Sequence, residues 1–412
     1  MASQKETITN PPAGFFGRLT AFLGLKPSLV GLMSMVILVG MGEKMAERFL
    51  PIYLLALGGG ALSIGLLNGL DNLLSALYSF PGGYLSDRWG VKRALLIFNL
   101  MAMAGFAVVI LIPAWTAVII GAVLFLSWTA ISLPASMDLV AKVLPRNKRT
   151  MGVSMHSLIR RVPMALGPVV GGAFIGWWGE KNGIRLAFFF ALLMALAALI
   201  LQQLLIEDDR PRDGATGKGP DHKLRTAAEG LTPPLRNLLV SDILIRFCEQ
   251  IPYAFVVVWA MKEILAPVSA LQFGVLTAVE MATAVLVYIP VAYLADRGTK
   301  KPFVLMTFVF FTLFPLALLF SRSFEVLILA FILRGLKEFG EPTRKALIMD
   351  LAPEGRKAST FGLYYLIRDT VVSVSAFGGA FLWMISPAAN FLTAFGFGFL
   401  GTIWFALRGK ET

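Results

Sequence analysis

The sequence predicts an all-α integral membrane protein of twelve transmembrane helices in two six-helix bundles. Three observations carry that prediction. Of 412 residues, 57% are hydrophobic and 15% charged, with a mean hydropathy of +0.74, too apolar a balance for a soluble globule. Stretches of about 20 apolar residues, enough to cross ~30 Å of hydrocarbon, recur from Leu29 to Leu407 with short polar breaks between them. The chain also repeats itself at its midpoint.

In order, spans 1 to 6 fall at 29–57, 61–85, 94–112, 115–140, 150–178 and 185–206. Spans 7 to 12 fall at 237–262, 270–294, 302–320, 324–350, 358–385 and 389–407. The bundles are therefore 29–206 and 237–407, with an N-terminal segment 1–28 and a tail 408–412. Between them, 207–236 is rich in Asp, Arg, Gly, Pro and Lys and reads as a linker with little need to fold. The stretch before Pro27 has no basic, apolar, small-residue cleavage pattern, so span 1 is expected to direct insertion.

The repeat is visible without gaps. Moving 62–92 forward by 209 positions sets Gly65 on Gly274, Pro81 on Pro290, Tyr84 on Tyr293, Asp87 on Asp296, Arg88 on Arg297 and Lys92 on Lys301. A shift of 208 sets Pro134 on Pro342, Pro145 on Pro353 and Leu158-Ile159-Arg160 on Leu366-Ile367-Arg368. Apolar helices align leucines by chance, but not prolines, arginines and an Asp-Arg pair. A six-helix repeat in a membrane puts the substrate site near the midplane between its copies.

The formal charge of +12 does not point to nucleic acid, because the basic residues lie in the breaks between spans. With the N-terminus inside, only Lys181, Arg185, Lys262 and Arg322 remain outside. Both termini and the linker are accordingly expected in the cytoplasm, across a bacterial-type inner membrane. A single cysteine, Cys248, excludes an intramolecular disulfide, and His156 and His222 add little for a soft metal. No metal or other cofactor is expected, and the absence of a Gly-x-Ser-x-Gly elbow and of a phosphate loop argues against an enzyme.

At the end of span 2 stands Gly83-Tyr84-Leu85-Ser86-Asp87-Arg88-Trp89-Gly90-Val91-Lys92-Arg93. It resembles the loop signature of the major facilitator superfamily, Gly-x-Leu-x-Asp-Arg-x-Gly-x-Lys-Arg. A degenerate copy, from Ala292 to Lys301, follows span 8, where that family carries one. The resemblance covers nearly the whole chain and implies the major facilitator fold, a functional monomer and alternating access. It also implies a gating role for Asp87, whose carboxylate would sit near the N-terminal dipole of span 11, with Arg88, Arg93, Asp296 and Arg297 completing the charge network. In span 5, Pro163 to Gly172 is similar to the Gly-x-x-x-Gly-Pro-x-x-Gly-Gly signature of proton antiporters in that superfamily, with Pro163 in place of the first glycine. Physically, Gly167, Gly171 and Gly172 let span 5 approach a neighbour while Pro168 bends it, so tight packing alone is the competing account. Span 4 departs from the antiporter pattern: 123–135 has no arginine, and Arg160 is the substitute in span 5.

Ionisable groups at the bilayer centre are expensive, so they face the bundle interior and mark substrate or proton paths. Spans 3, 9 and 12 carry none and span 6 only Arg185 at its end, as expected of lipid-facing supports. Asp71 in span 2 and Glu280 in span 8 stand at equal depth near the midplane and are proton-coupling candidates, as are Glu43 and Glu47, four apart on one face of span 1. The run Glu43-Lys44-Met45-Ala46-Glu47-Arg48-Phe49 resembles the Glu-x-x-Glu-Arg-Phe signature of proton-coupled peptide transporters, with one extra residue. Arg48, Arg246, Glu249, Arg334, Lys337, Glu338 and Glu341 are substrate-binding candidates, with Arg160 and Arg368 as repeat-related guanidinium forks for a carboxylate or phosphate. Four-apart spacing predicts pairs Arg334 with Glu338, Lys337 with Glu341 and Glu341 with Lys345, and Arg344 and Lys345 are expected toward the cytoplasmic end of span 10.

The expected function is proton-coupled secondary transport of a charged or zwitterionic organic solute, outward. The alternatives are a proton symporter for an anionic or peptide-like metabolite and a carrier of lipid-like molecules. The expected partners are that solute, protons and the bilayer.

Overall fold

The structure, a computed structural model, describes residues 27–126, 128, 132, 136, 139, 149–207, 231–295, 299–353 and 357–410. With no water in the hydrocarbon, each backbone amide must bond within its own segment, and the described residues are helical almost throughout. Span 1 is Pro27–Glu47 and, after a break at Arg48 and Phe49, Leu50–Ala56, where Pro51 opens the second piece. Span 2 is Ala61–Trp89, span 3 Val91–Leu111, and span 4 begins as Trp115–Phe125. Arg149–Leu205 holds spans 5 and 6, so the turn expected over 179–184 contracts to Gly179, whose φ of 76° suits a residue without Cβ.

Span 7 is Pro233–Tyr253, bent by 42° after Pro252 into Val256–Glu263. Span 8 is Ala270–Ala295, span 9 Lys301–Phe320, span 11 Lys357–Ile385 and span 12 Pro387–Arg408. Span 10, expected as one helix, is Phe324–Leu336 and Glu341–Leu351, because Gly340 and Pro342 start a new helix there. The molecule thus has two bundles of six spans. The short connections at 57–60, 112–114, Gly179, 264–269, 321–323 and Ser386 share one end, called the turn face here; the opposite end, toward 207–231, is the linker face.

Close helix contacts fasten the two bundles together on the turn-face side. Gly65 of span 2 packs on Ala380 and the Phe377 carbonyl of span 11, and Gly69 on Phe377 and Ser373. Its repeat mate Gly274 of span 8 packs on Pro168 and Val169 of span 5, and Gly172 on Ala270. Within each bundle, Gly171 lies against the Met45 carbonyl of span 1, and its mate Gly379 against the Ile251 carbonyl of span 7. Gly167 lies against Lys44. Backbone this close leaves no room for a Cβ, which is the small-residue packing that membranes favour.

Away from these seams, Asn99 of span 3 ties spans 4 and 6 together, accepting from Trp128 Nε1 at 2.8 Å and donating to Gln202 Oε1 at 2.7 Å. The outer surface is apolar: Leu111, Leu204, Ile385 and Leu407 are each at least 75% exposed, as lipid-solvated side chains would be.

Candidate functional site

Five spans bring a polar residue to one depth. Glu47, Asp71, Tyr253, Glu280 and Arg334 each lie about ten residues from the turn-face end of their span. At 1.5 Å per residue that is ~15 Å, half of a ~30 Å hydrocarbon layer.

At this level a cavity of about 50 Å³ opens between the bundles. Span 1 contributes Glu47, Arg48, Leu50 and Pro51, span 2 contributes Leu67, Asn68 and Asp71, and span 4 contributes Leu126. The other bundle contributes Tyr253, Ala254, Val256 and Val257 beside the bend of span 7, Phe273 of span 8 and Arg334 of span 10. The helix breaks shape this wall: the one at Arg48 and Phe49 and the bend beyond Pro252 turn side chains of spans 1 and 7 toward each other. Tyr253 has the Arg48 guanidinium 5.1 Å and the Arg334 guanidinium 5.4 Å from its ring centroid, one from each bundle.

In the second bundle the buried charges are paired in an unbroken series. Arg334 Nε lies 3.2 Å from Glu280 Oε1, Lys337 Nζ 3.9 Å from the same oxygen, and Lys337 2.5 Å from Glu249. Glu249 meets Arg246 at 2.5 Å, Arg246 reaches Glu341 at 3.5 Å, and Glu341 meets Arg344 at 2.6 Å and Lys345 at 3.4 Å. Arg344 pairs with Asp242, which also accepts from Tyr364 at 3.1 Å and from Arg368 at 3.4 Å, while Arg368 holds Asp369 at 2.7 Å. Of this series, Glu280 Oε2 alone among the carboxylate oxygens is buried without a partner.

The first bundle is different. Lys44 bridges Glu43, at 3.0 Å, and Glu47. Arg160 stands within electrostatic reach of Glu43. Arg48 and Asp71, both lining the cavity, make no ion pair with any described residue. Three further contacts cross between the bundles. Asn68 Nδ2 donates to the Gln250 carbonyl at 2.9 Å, Asn72 Nδ2 to Gln250 Oε1 at 3.2 Å, and Arg161 lies 3.6 Å from Glu338.

The cavity therefore gathers Glu47, Arg48, Asp71 and Arg334, while Glu280 stands behind Arg334. Arg246, Glu249, Lys337, Glu341 and Arg368 belong to the paired series, and Glu338 to the contact with Arg161. The expected pairs Arg334 with Glu338 and Lys337 with Glu341 do not form, because the helix break at 337–340 destroys their four-residue register. Arg344 lies in Glu341–Leu351, on the linker-face side of the break in span 10, and is 1% exposed. Of the gate residues, Arg88 and Arg93 are exposed on spans 2 and 3; Asp296 and Arg297, and the side chain of Asp87, lie outside the described residues. Sequence reasoning missed Tyr253, Asp242, Arg344, Lys44 and Asn68 as participants. The cue for Tyr253 is its place next to Pro252, where the helix bends.

Comparison with known proteins agrees with this arrangement. Residues 32–249 and 238–412 match the Major Facilitator Superfamily. An uncharacterized MFS-type transporter of Methanocaldococcus jannaschii is 22% identical over 85% of this chain and 87% of its own. The quinolone resistance protein NorA of Staphylococcus aureus is 24% identical over 42% of this chain and 44% of its own. The tetracenomycin C resistance and export protein of Streptomyces glaucescens is 27% identical over 34% and 25%. Among solved structures, a peptide transporter, POT, bound to sulfate superposes with a TM-score of 0.74 at 15% identity, covering 97% of this chain and 95% of that one. The nucleoside transporter NupG superposes with a TM-score of 0.76 at 13% identity, covering 93% and 100%. At such identities these structures share the fold. With its twelve spans, its two bundles and a cavity at mid-membrane depth between them, the chain belongs to the Major Facilitator Superfamily and is a multi-pass membrane transporter.

Proposed function

We propose that this transporter exports a charged or zwitterionic organic solute in exchange for protons, by alternating access around the cavity between the bundles. The observation that carries the reading is Asp71. It lines the cavity at mid-membrane depth and forms no ion pair with any described cation. A carboxyl with a fixed counter-ion loses that pair when it takes a proton, whereas Asp71 exchanges charge with a proton or a ligand and breaks nothing. Glu280, Glu43 and Glu47 are engaged by Arg334 and Lys44, which makes them weaker coupling candidates. Outward direction draws support from the partial likeness to the resistance and export proteins.

In this reading the linker face is cytoplasmic, in accord with its basic residues, and the protein works as a monomer in an inner membrane. The packed seams at Gly65 and Gly274 then close the outer side. Asp87, Arg88, Arg93, Asp296 and Arg297 would hold the cytoplasmic side shut in the opposite state.

The test is proton flux in proteoliposomes against a panel of anionic, zwitterionic and cationic solutes, with Asp71→Asn and Glu280→Gln beside the wild type. Solute-driven proton movement opposite to the solute, lost in Asp71→Asn with solute binding retained for at least one panel member, is expected. Movement in the same direction would make the protein a symporter, and solute flux without protons would end the coupling reading.

A further inference from the structure

The polar groups lining the cavity are not equally available to a ligand. Glu47 is held by Lys44, Arg334 by Glu280, and the Asn68 amide donates to the Gln250 carbonyl. Two charges remain. Among the described residues, the Arg48 guanidinium touches only the face of Tyr253, which leaves its N–H fork without an acceptor, and the Asp71 carboxylate has no donor. They come from spans 1 and 2 of the same bundle, line the same cavity, and do not pair with each other. A buried charge without a partner is costly, and the pair left open here is one cation and one anion. The remaining wall is apolar, with Phe273, Leu126 and Val257 among its surfaces.

Resting on the reading of this cavity as the transport site, we infer that its ligand is a zwitterion with an apolar body, whose anionic group sits on the Arg48 fork and whose cationic group sits on Asp71. A purely cationic ligand would leave the Arg48 fork unsatisfied in a closed cavity. A purely anionic one would leave the Asp71 carboxylate without a cation. Only a ligand carrying both signs satisfies both, while its apolar part fills the wall of Phe273, Leu126 and Val257. The ligand's ammonium occupies the carboxylate that a proton would need, so one displaces the other.

Equilibrium binding to the purified full-length protein in detergent, with no gradient imposed, tests this separately from coupling. Two probe sets differ in charge separation: phenylalanine and phenylalanyl-phenylalanine, each beside its C-terminal amide, which is only cationic, and its N-acetyl form, which is only anionic. The expected result is that the zwitterion of at least one set binds about ten- to a hundredfold more tightly than both its single-charge forms, the value of a charge-assisted hydrogen bond in a desolvated site. Arg48→Gln should erase its advantage over the amide, and Asp71→Asn its advantage over the N-acetyl form, with Arg48→Lys restoring part of the first. The comparison within the wild type needs no variant to fold. If the amide or the N-acetyl form binds as tightly as the zwitterion in both sets, if no probe binds, or if the variants leave the ranking unchanged, the inference is overturned. Proton-coupled flux of a singly charged solute would leave the transport reading standing without it.

Discussion

Gly171 of span 5 meets the Met45 carbonyl of span 1, and Gly379 of span 11 meets the Ile251 carbonyl of span 7, so the two bundles make the same backbone approach at repeat-related positions. The charges beside those contacts are handled in opposite ways. In the second bundle, Asp242, Arg246, Glu249, Glu280, Arg334, Lys337, Glu341, Arg344 and Arg368 are joined by ion pairs running from span 7 through spans 8, 10 and 11. In the first, Arg48 and Asp71 face the cavity with no ion-pair partner among the described residues. The repeat has therefore kept its helix packing and divided its electrostatics. One bundle carries an ion-paired frame, and the other presents to the cavity two charges without ion-pair partners among the described residues.

The shared packing gives the largest expected effect. A Val side chain at Gly171 or Gly379 would overlap backbone carbonyls, which cannot rotate away as a side chain can, so the helices must separate. Gly171→Val and Gly379→Val should each destabilise the protein by about 3 kcal/mol or more, at the upper end of overpacking effects. The readout is the thermal unfolding midpoint in detergent. Gly176→Ala, where an added Cβ meets nothing within 4 Å, should leave that midpoint unchanged or raise it. If only one of the two valine variants is affected, the packing is not equivalent in the two halves.

The divided electrostatics gives the next. Asp242 is fully buried and holds Arg344, Arg368 and Tyr364 together, so Asp242→Asn takes a shared carboxylate from two buried guanidinium groups and leaves Arg344 on Glu341 and Arg368 on Asp369. Removing one member of a buried pair costs about 3–5 kcal/mol. Asp71→Asn, which breaks no pair, should shift stability by less than about 0.5 kcal/mol, within the range of substitutions away from such features, while abolishing proton-coupled flux. Paired melts and flux assays of the two variants would sharpen the contrast. Equal destabilisation would mean that Asp71 is structural, as Asp242 is.

The parts of this architecture that could be read in the sequence are those the membrane enforces on single segments. A bilayer leaves the backbone no choice but helix over about 20 residues, so hydropathy finds spans such as Val91–Leu111 and Lys301–Phe320, and duplicated prolines and glycines expose the repeat. The shared depth of Asp71 and Glu280 was legible for the same reason, because depth is residue count times helical rise. Pairing was not. Glu341 and Lys345 lie on one continuous helix and do pair, but Arg334 turns to Glu280 of span 8 and Lys337 to Glu249 of span 7 once span 10 breaks before Gly340. Which carboxylate a guanidinium finds in a neighbouring span depends on helix rotation and tilt, and spacing along one chain carries neither. The availability of Arg48 was hidden likewise, since it depends on Lys44, rather than Arg48, taking up Glu47.

The smallest expected effect lies at the turn face, where the bundles are joined by an exposed ion pair between Lys262, at the end of span 7, and Glu180, beside the Gly179 turn. An exposed pair of this kind contributes at most about 1 kcal/mol, so it cannot hold the turn face shut against the glycine seams beneath it. It can bias how often that face opens. A Lys262→Ala exchange should raise the alkylation rate of a cysteine placed in the cavity by Leu67→Cys, in a Cys248→Ser background, by less than about fivefold, the equivalent of 1 kcal/mol. The increase should fade in high salt, which already screens the wild-type pair. A change well above that range would mean that the seams are only marginally closed and that the ion pair is the principal restraint between the two bundles at this face; no change would assign the closure to Gly65, Gly69, Gly172 and Gly274 alone.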